Sequence, residues 1–194
     1  MINLEEANDY TKQLFSVNWV QWIHEGTKPA ETSSEKNTNI LTIMVTNHCA
    51  ICLNLNGCYF TKEKCPSNPL HFNCHCKTID IVSFIPNTKC PIEKFTKYVF
   101  VHSIIDDKKQ LFELWGYDIM DSEYLQKEFE KQAKLAYMTG NYELHKLDIN
   151  GQRINIKIKI KKKYKNEYVI FYSGWMMYPN GIIILTTPYG GKIK

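Results

Sequence analysis

Cysteine and histidine cluster in the first half of the chain, at spacings that suit metal binding: Cys49-Ala-Ile-Cys52, then Cys58 and Cys65, then His71-Phe-Asn-Cys74-His75-Cys76. Two thiolates separated by two residues, answered about twenty residues later by a second Cys/His group, meet the needs of one tetrahedral zinc ion. The first-choice ligands are Cys49, Cys52, Cys74 and Cys76. His71 competes for the fourth place, because a CxC pair bites an ion less comfortably than CxxC, and His71 with Cys74 restores the two-residue spacing. With every position filled by protein the ion is structural, since catalysis needs a site open to water. Cys58, Cys65 and Cys90 read as buried small apolar side chains or unreactive thiols. His48 and His75 read as neighbours of ligands. An odd total of seven cysteines and the tight spacings favour metal over disulfides.

A second chemistry is conceivable in the other half. Metal-free RNA cleavage needs a base, an acid and a cation for the phosphorane charge, and His145, Lys157 and Thr186 are the candidates, with Arg153, Lys159, Thr187 and Tyr189 beside them. Tyr172, Trp175 and Tyr178 could stack on bases. No pair among these stands at a diagnostic spacing. The competing reading is a solvated lysine face, an ordinary histidine and cross-strand aromatics.

These residues need elements to position them. Residues 4–25 place Leu4, Ala7, Phe15, Trp19, Val20, Trp22 and Ile23 among polar residues, which predicts one or two helices ending near Gly26. Residues 27–38 are nearly devoid of apolar side chains and read as a linker. Asn56-Gly57 lies between apolar runs, as in a hairpin turn, and prolines 66, 69, 86 and 91 argue against long regular structure beyond it. A helix is expected over about 106–115, closed by Gly116. A second begins at Ser122 as N-cap and carries Leu125, Phe129, Ala133, Ala136 and Tyr137 on one face before Gly140. From Tyr142 the period becomes 2: Ile154-Asn-Ile-Lys-Ile-Lys-Ile-Lys161 alternates strictly, one face apolar and the other cationic. With turns at Asn150-Gly151, 162–166 and Asn180-Gly181, an antiparallel meander follows over 142–148, 152–161, 167–178 and 182–187, and the Pro188-Tyr-Gly-Gly191 stretch reads as turn. The expected class is α+β: an N-terminal helical segment and linker (1–37), a small zinc-knuckle module (38–85), and a helix packed on a four-stranded antiparallel meander (104–194).

The net charge of +4 is unevenly spread. Residues 142–194 hold ten basic side chains against three acidic ones, so the positive character belongs to the C-terminal quarter and permits a polyanionic partner, RNA among them. Arg153 is the single arginine among 24 basic residues. Lysine offers point charges without a fork, which favours diffuse phosphate attraction over base reading. No apolar run approaches the roughly 18 residues of a membrane helix. Two carboxylates near Met1 stand where a secretory signal would carry lysines, so a cytoplasmic protein is expected.

Cys49-Ala-Ile-Cys52-Leu-Asn-Leu-Asn-Gly57-Cys-Tyr-Phe60, followed by Pro69-Leu-His71-Phe-Asn-Cys74-His-Cys76, resembles the end of the phage Mu F-like minor head, or head morphogenesis, family. Its members carry a CxxC, a short hairpin ending in an aromatic and a closing His-Pro-Asn-Cys-Arg-Cys. This chain has Phe72 and His75 where proline and arginine are usual. The resemblance covers residues 40–81 and implies a phage or prophage module with a closed zinc knuckle, non-catalytic, docking onto phage or mobile-element proteins in the cytoplasm or on the virion. The C-terminal region, a helix followed by a meander, is similar to compact ribonuclease toxins. That likeness implies the alternative, a metal-independent ribonuclease-like toxin or effector that uses its basic sheet.

Overall fold

In a computed structural model the described residues are 17–25, 50–71, 74–82, 84–101 and 108–192. The chain forms two units. The first takes in Met1–Ile85, Lys146–Gln152 and Met177–Gly181, and the second Pro86–His145, Arg153–Met176 and Ile182–Lys194. The class is α+β, with strand pairs that are antiparallel except where Asn87–Lys89 pairs with 182–184.

The first unit is built on a three-stranded antiparallel sheet whose central strand is β1 (Trp19–His24). It pairs with β2 (Tyr59–Thr61) on one side and β3 (Cys76–Ile81) on the other. Residues 19–24 are therefore strand, contrary to the helix expected there; residues 1–16 lie outside those described. Trp-Val-Gln-Trp-Ile is rich in aromatic and β-branched side chains, which fit a pleated, half-buried surface, and two waiting partner strands settle the choice. Trp22 on β1, Phe60 on β2 and Leu55 are fully buried.

Asn56-Gly57 is likewise not a hairpin turn. Residues 50–55 form a short helix, α1, and Gly57 at φ +77° ends it. The Gly57 amide donates to Trp22 O at 2.8 Å and the Trp22 amide to Cys58 O at 3.0 Å, so the end of α1 is bonded to the middle of β1. A Cβ at Gly57 would stand 3.0 Å from the Pro179 side chain, so another residue here would have to push that ring aside while holding a strained positive φ.

A five-stranded sheet in the order β4-β8-β7-β6-β5 lies mostly in the second unit, Lys146–Gln152 and Met177–Gly181 being counted with the first. Its strands are β4 (Asn87–Lys89), β5 (Glu143–Asp148), β6 (Gly151–Lys161), β7 (Tyr168–Tyr178) and β8 (Ile182–Lys192). The meander of β5 to β8 is present, but four strands become five. β4 adds to β8 in parallel, with Asn87 opposite Ile182 and Lys89 opposite Ile184. The last strand also continues to Lys192, through the stretch expected to turn at Pro188. β4 pairs only with 182–184, so Pro188 lies beyond that ladder, where a missing N–H on an unpaired side is tolerated.

Helices α2 (Lys108–Leu114) and α3 (Ser122–Met138) and a π-helical turn (Lys94–Val99) accompany this sheet. Both α-helices end in the same way. Tyr117 N bonds to Phe112 O and Gly116 N to Glu113 O after α2, and Asn141 N bonds to Ala136 O and Gly140 N to Tyr137 O after α3. Gly116 and Gly140 have positive φ, which completes the paired-bond C-cap of a Schellman motif.

The start of α3 differs from expectation. A 3-10 turn over Ile119–Asp121 precedes it, and Asp118 caps that turn reciprocally with Asp121. The Ser122 hydroxyl instead donates back to Ile119 O at 2.6 Å. Leu125, Phe129, Ala133 and Tyr137 are buried, as are Ile154, Ile156, Ile158 and Ile160 on β6. Aromatic rings fill the space between: Phe129 meets Phe95 at 5.2 Å, and Trp115 stacks on Phe171 at 5.2 Å. Among the described residues no helix is long and apolar enough to cross a membrane.

Candidate metal centre

Three separate elements bring the ligand side chains together in the first unit. Cys52 projects from α1 and is 1% exposed. His71 and Cys74 belong to the irregular segment between the 3-10 turn Lys62–Lys64 and β3, and are half-buried. Cys76 opens β3. Cys52 Sγ lies 3.1 Å from His71 Nε2 and 3.8 Å from Cys74 Sγ, and the three ligand atoms are all within 4.8 Å of one another.

Two sulfurs bound to one tetrahedral zinc at about 2.3 Å stand about 3.8 Å apart, whereas a disulfide would bring them to about 2.05 Å. The Cys52 to Cys74 separation fits the first and excludes the second. All six described cysteines are free thiols. Cys52, His71, Cys74 and Cys76 thus lie close enough to bind a metal ion. Cys49, like His48, falls outside the described residues.

The thiols are unequal. Burial pushes the Cys52 thiol far up, and its neighbours Cys76 and Cys74 push it further. Burial likewise raises Cys76, with Cys74 adding to the effect. Burial raises Cys74 too, but backbone hydrogen bonds from Cys76 and Leu70 outweigh it and bring the thiol down to about 7. Cys74 is the sulfur that ionises first and offers a thiolate at neutral pH.

Strand β1 supplies contacts that sequence reasoning missed. His24 stands opposite Cys76 in the ladder, and its Nδ1 is 3.4 Å from Cys76 Sγ. The His24 amide is held in turn by Asn56 Oδ1 at 3.0 Å, at the end of α1. Trp22, wholly buried, leaves its indole N–H without a hydrogen-bond partner, near enough to Cys76 to favour the ionised form of that thiol. A ring nitrogen packed against a candidate ligand sulfur is the kind of outer contact that orients and tunes a metal site. Nothing in the spacing of the chain flags it, because His24 and Cys76 meet only through strand register.

The remaining cysteines lie apart from the cluster. Cys58 and Cys90 are buried, and burial alone raises the Cys58 thiol to about 12. Cys65 follows the Lys62–Lys64 turn, and burial raises it to about 11. His75, between Cys74 and Cys76, is exposed.

The residues considered for RNA cleavage sit on different strands: His145 on β5, Lys157 on β6 and Thr186 on β8. Two strands separate β5 from β8, which at about 4.8 Å per step puts His145 and Thr186 roughly 14 Å apart. Acid and base acting on one phosphodiester need hydrogen-bond reach of the same few atoms, and this spacing does not provide it. Thr186 Oγ1 donates to Gly174 O at 2.9 Å. Trp175 is buried in the core, with its indole N–H bonded to Ser173 Oγ at 2.8 Å.

Comparison with known proteins returns no match: no family model, no curated protein and no solved structure is significantly similar to this chain.

Proposed function

We propose that the protein is a zinc-binding structural or interaction module of the head-morphogenesis kind, phage- or prophage-derived and non-catalytic. The observation that carries the metal part is the 3.8 Å separation of Cys52 and Cys74 sulfurs with His71 Nε2 beside them. Soft thiolates with one imidazole select zinc over harder oxygen-loving cations. Cys52, His71, Cys74 and Cys76 form the ligand set, and Cys49 is the alternative to one of them. A set closed by four protein ligands leaves no place for a reacting water, so the ion organises the chain rather than performing chemistry. Binding of that kind is folding free energy, on the order of 10 kcal/mol for small zinc-dependent units.

The phage part rests on the resemblance of residues 40–81 to head morphogenesis proteins, and the partners it implies are other phage or mobile-element proteins. Metal analysis of the purified chain tests the first part. One zinc per chain is expected, lost in Cys52→Ser and Cys74→Ser; stoichiometry near zero in a folded wild type refutes it. Mass spectrometry of purified virions from an induced host lysogen tests the second. A fixed copy number in the particle supports the reading, and absence from both particle and assembly intermediates refutes it.

A further inference from the structure

The second unit holds a feature that the metal centre does not use. Helix α3 and the aromatic cluster cover one face of the five-stranded sheet, where Ile154, Ile156, Ile158 and Ile160 are buried. On the opposite face, Lys157, Lys159 and Lys161 point outward and are exposed. Their partners across the ladder are Tyr172, Ile170 and Tyr168. Three cations therefore run in a row, one every two residues or roughly 6.7 Å, beside a row of two rings and an isoleucine. Tyr168 is 56% exposed and Ile170 50%.

The two rows are coupled. The Lys157 ammonium stands 5.6 Å from the Tyr172 ring centroid and that of Lys159 4.5 Å from the Tyr168 centroid. Glu143 lies beside both rows: its carboxylate accepts from the Tyr172 hydroxyl at 2.7 Å and lies 4.0 Å from Lys157 Nζ. A lysine row on a strand often serves only to keep an open edge from pairing with another chain. Here part of that task is already done, because the Gln132 side chain bonds to both the amide and the carbonyl of Lys159. Edge protection also gives no reason for an exposed Tyr168 ring, an exposed Ile170 and a half-buried Tyr172 alongside the cations.

We propose that this face binds single-stranded nucleic acid, with the lysines on successive phosphates and Tyr168 and Tyr172 under the bases. A cationic track paired with aromatic platforms is what recognition of an unpaired strand requires, and it is tolerant of sequence because every base has a π-face. Lysine rather than arginine on the track fits phosphate attraction without base reading. The proposal concerns binding alone and does not depend on the metal centre.

The test uses the full chain, fluorescence anisotropy and labelled 15-mers of uridine and of deoxyuridine, which differ only in the 2′-hydroxyl, with heparin as a polyanion that has no bases. Three phosphate contacts on a single strand predict a log–log salt slope of about −2. Lys157→Gln/Lys159→Gln/Lys161→Gln together should flatten that slope and weaken binding at least tenfold at low salt. Tyr168→Leu should weaken binding severalfold with the slope unchanged, and Glu143→Gln should tighten it. Equal affinity for the two oligonucleotides assigns the site to either nucleic acid; a preference for uridine assigns it to RNA through the 2′-hydroxyl. The proposal falls if the wild type shows no salt-dependent binding, if the triple variant binds as the wild type does, or if heparin competes fully while Tyr168→Leu changes nothing. All the substituted residues are solvent-facing, so a matching thermal melt for each variant confirms that the fold is intact.

Discussion

His24 and Cys76 face each other across the β1 and β3 ladder, with imidazole Nδ1 and thiol Sγ 3.4 Å apart. Strand register thus places a hydrogen-bonding ring behind one of the candidate ligand sulfurs. Because such outer contacts typically govern metal affinity by about 10- to 100-fold, His24→Ala is expected to weaken zinc binding by that order while leaving stoichiometry at one. Competition against a chromophoric chelator measures it. Unchanged affinity would show that the ring is a bystander.

Metal uptake should release protons. Cys52 and Cys76 are protonated at neutral pH in the metal-free protein, since burial raises both, while Cys74, at about 7, is already partly ionised. Ligand thiols must ionise to bind, so affinity rises with pH, and at pH 7 about two to three protons should leave per ion. Titration in weak buffer with a pH indicator counts them. Release of fewer than one proton would mean that the thiols are not the ligands.

Cys58 makes a separate prediction at alkaline pH. Its thiol is raised by burial from 9.0 to about 12, so the folded state holds a proton that the unfolded state gives up. The stabilisation is therefore complete below pH 9 and is lost as pH climbs towards 12, with a slope of at most about 1.4 kcal/mol per pH unit from this group. Urea melts of wild type and Cys58→Ala between pH 8 and 11 check the sign. The variant, less stable at pH 8 for want of its buried side chain, should lose stability more slowly as pH rises.

Gln132 closes the stretch of β6 that outruns the shorter β5, donating to Lys159 O at 2.7 Å and accepting from Lys159 N at 2.8 Å. Gln132→Ala should cost about 1 kcal/mol, because the freed groups can turn to water. A larger effect is expected in self-association, since an unpaired strand edge recruits another. Sedimentation velocity at rising concentration reads it, and a variant as monomeric as the wild type would assign edge protection to the lysines alone.

The strand β6 was legible because its alternation is strict and its isoleucines have no other way to be buried. The gathering of Cys52, His71 and Cys74 was legible for a similar reason: sulfur and imidazole at knuckle spacing have few other uses. Trp19–His24 misled because aromatic and aliphatic residues spaced at 19, 20, 22 and 23 satisfy a helical face as well as a strand, and only the partners β2 and β3, some forty to sixty residues on, decide between them. Strand β4 left no trace, being three polar or charged residues whose partner lies in β8. His24 was hidden by the same non-locality.

The first unit is assembled from chain that ends only at Gly181. Asn180 N donates to Gly57 O at 2.9 Å, and Gly181 leaves under the Phe84 ring a space that any Cβ would fill. A nascent polypeptide emerging from the ribosome consequently cannot complete this unit when residue 85 appears. It must wait for nearly a hundred more codons, and a fragment cut at that point is born without its closing piece.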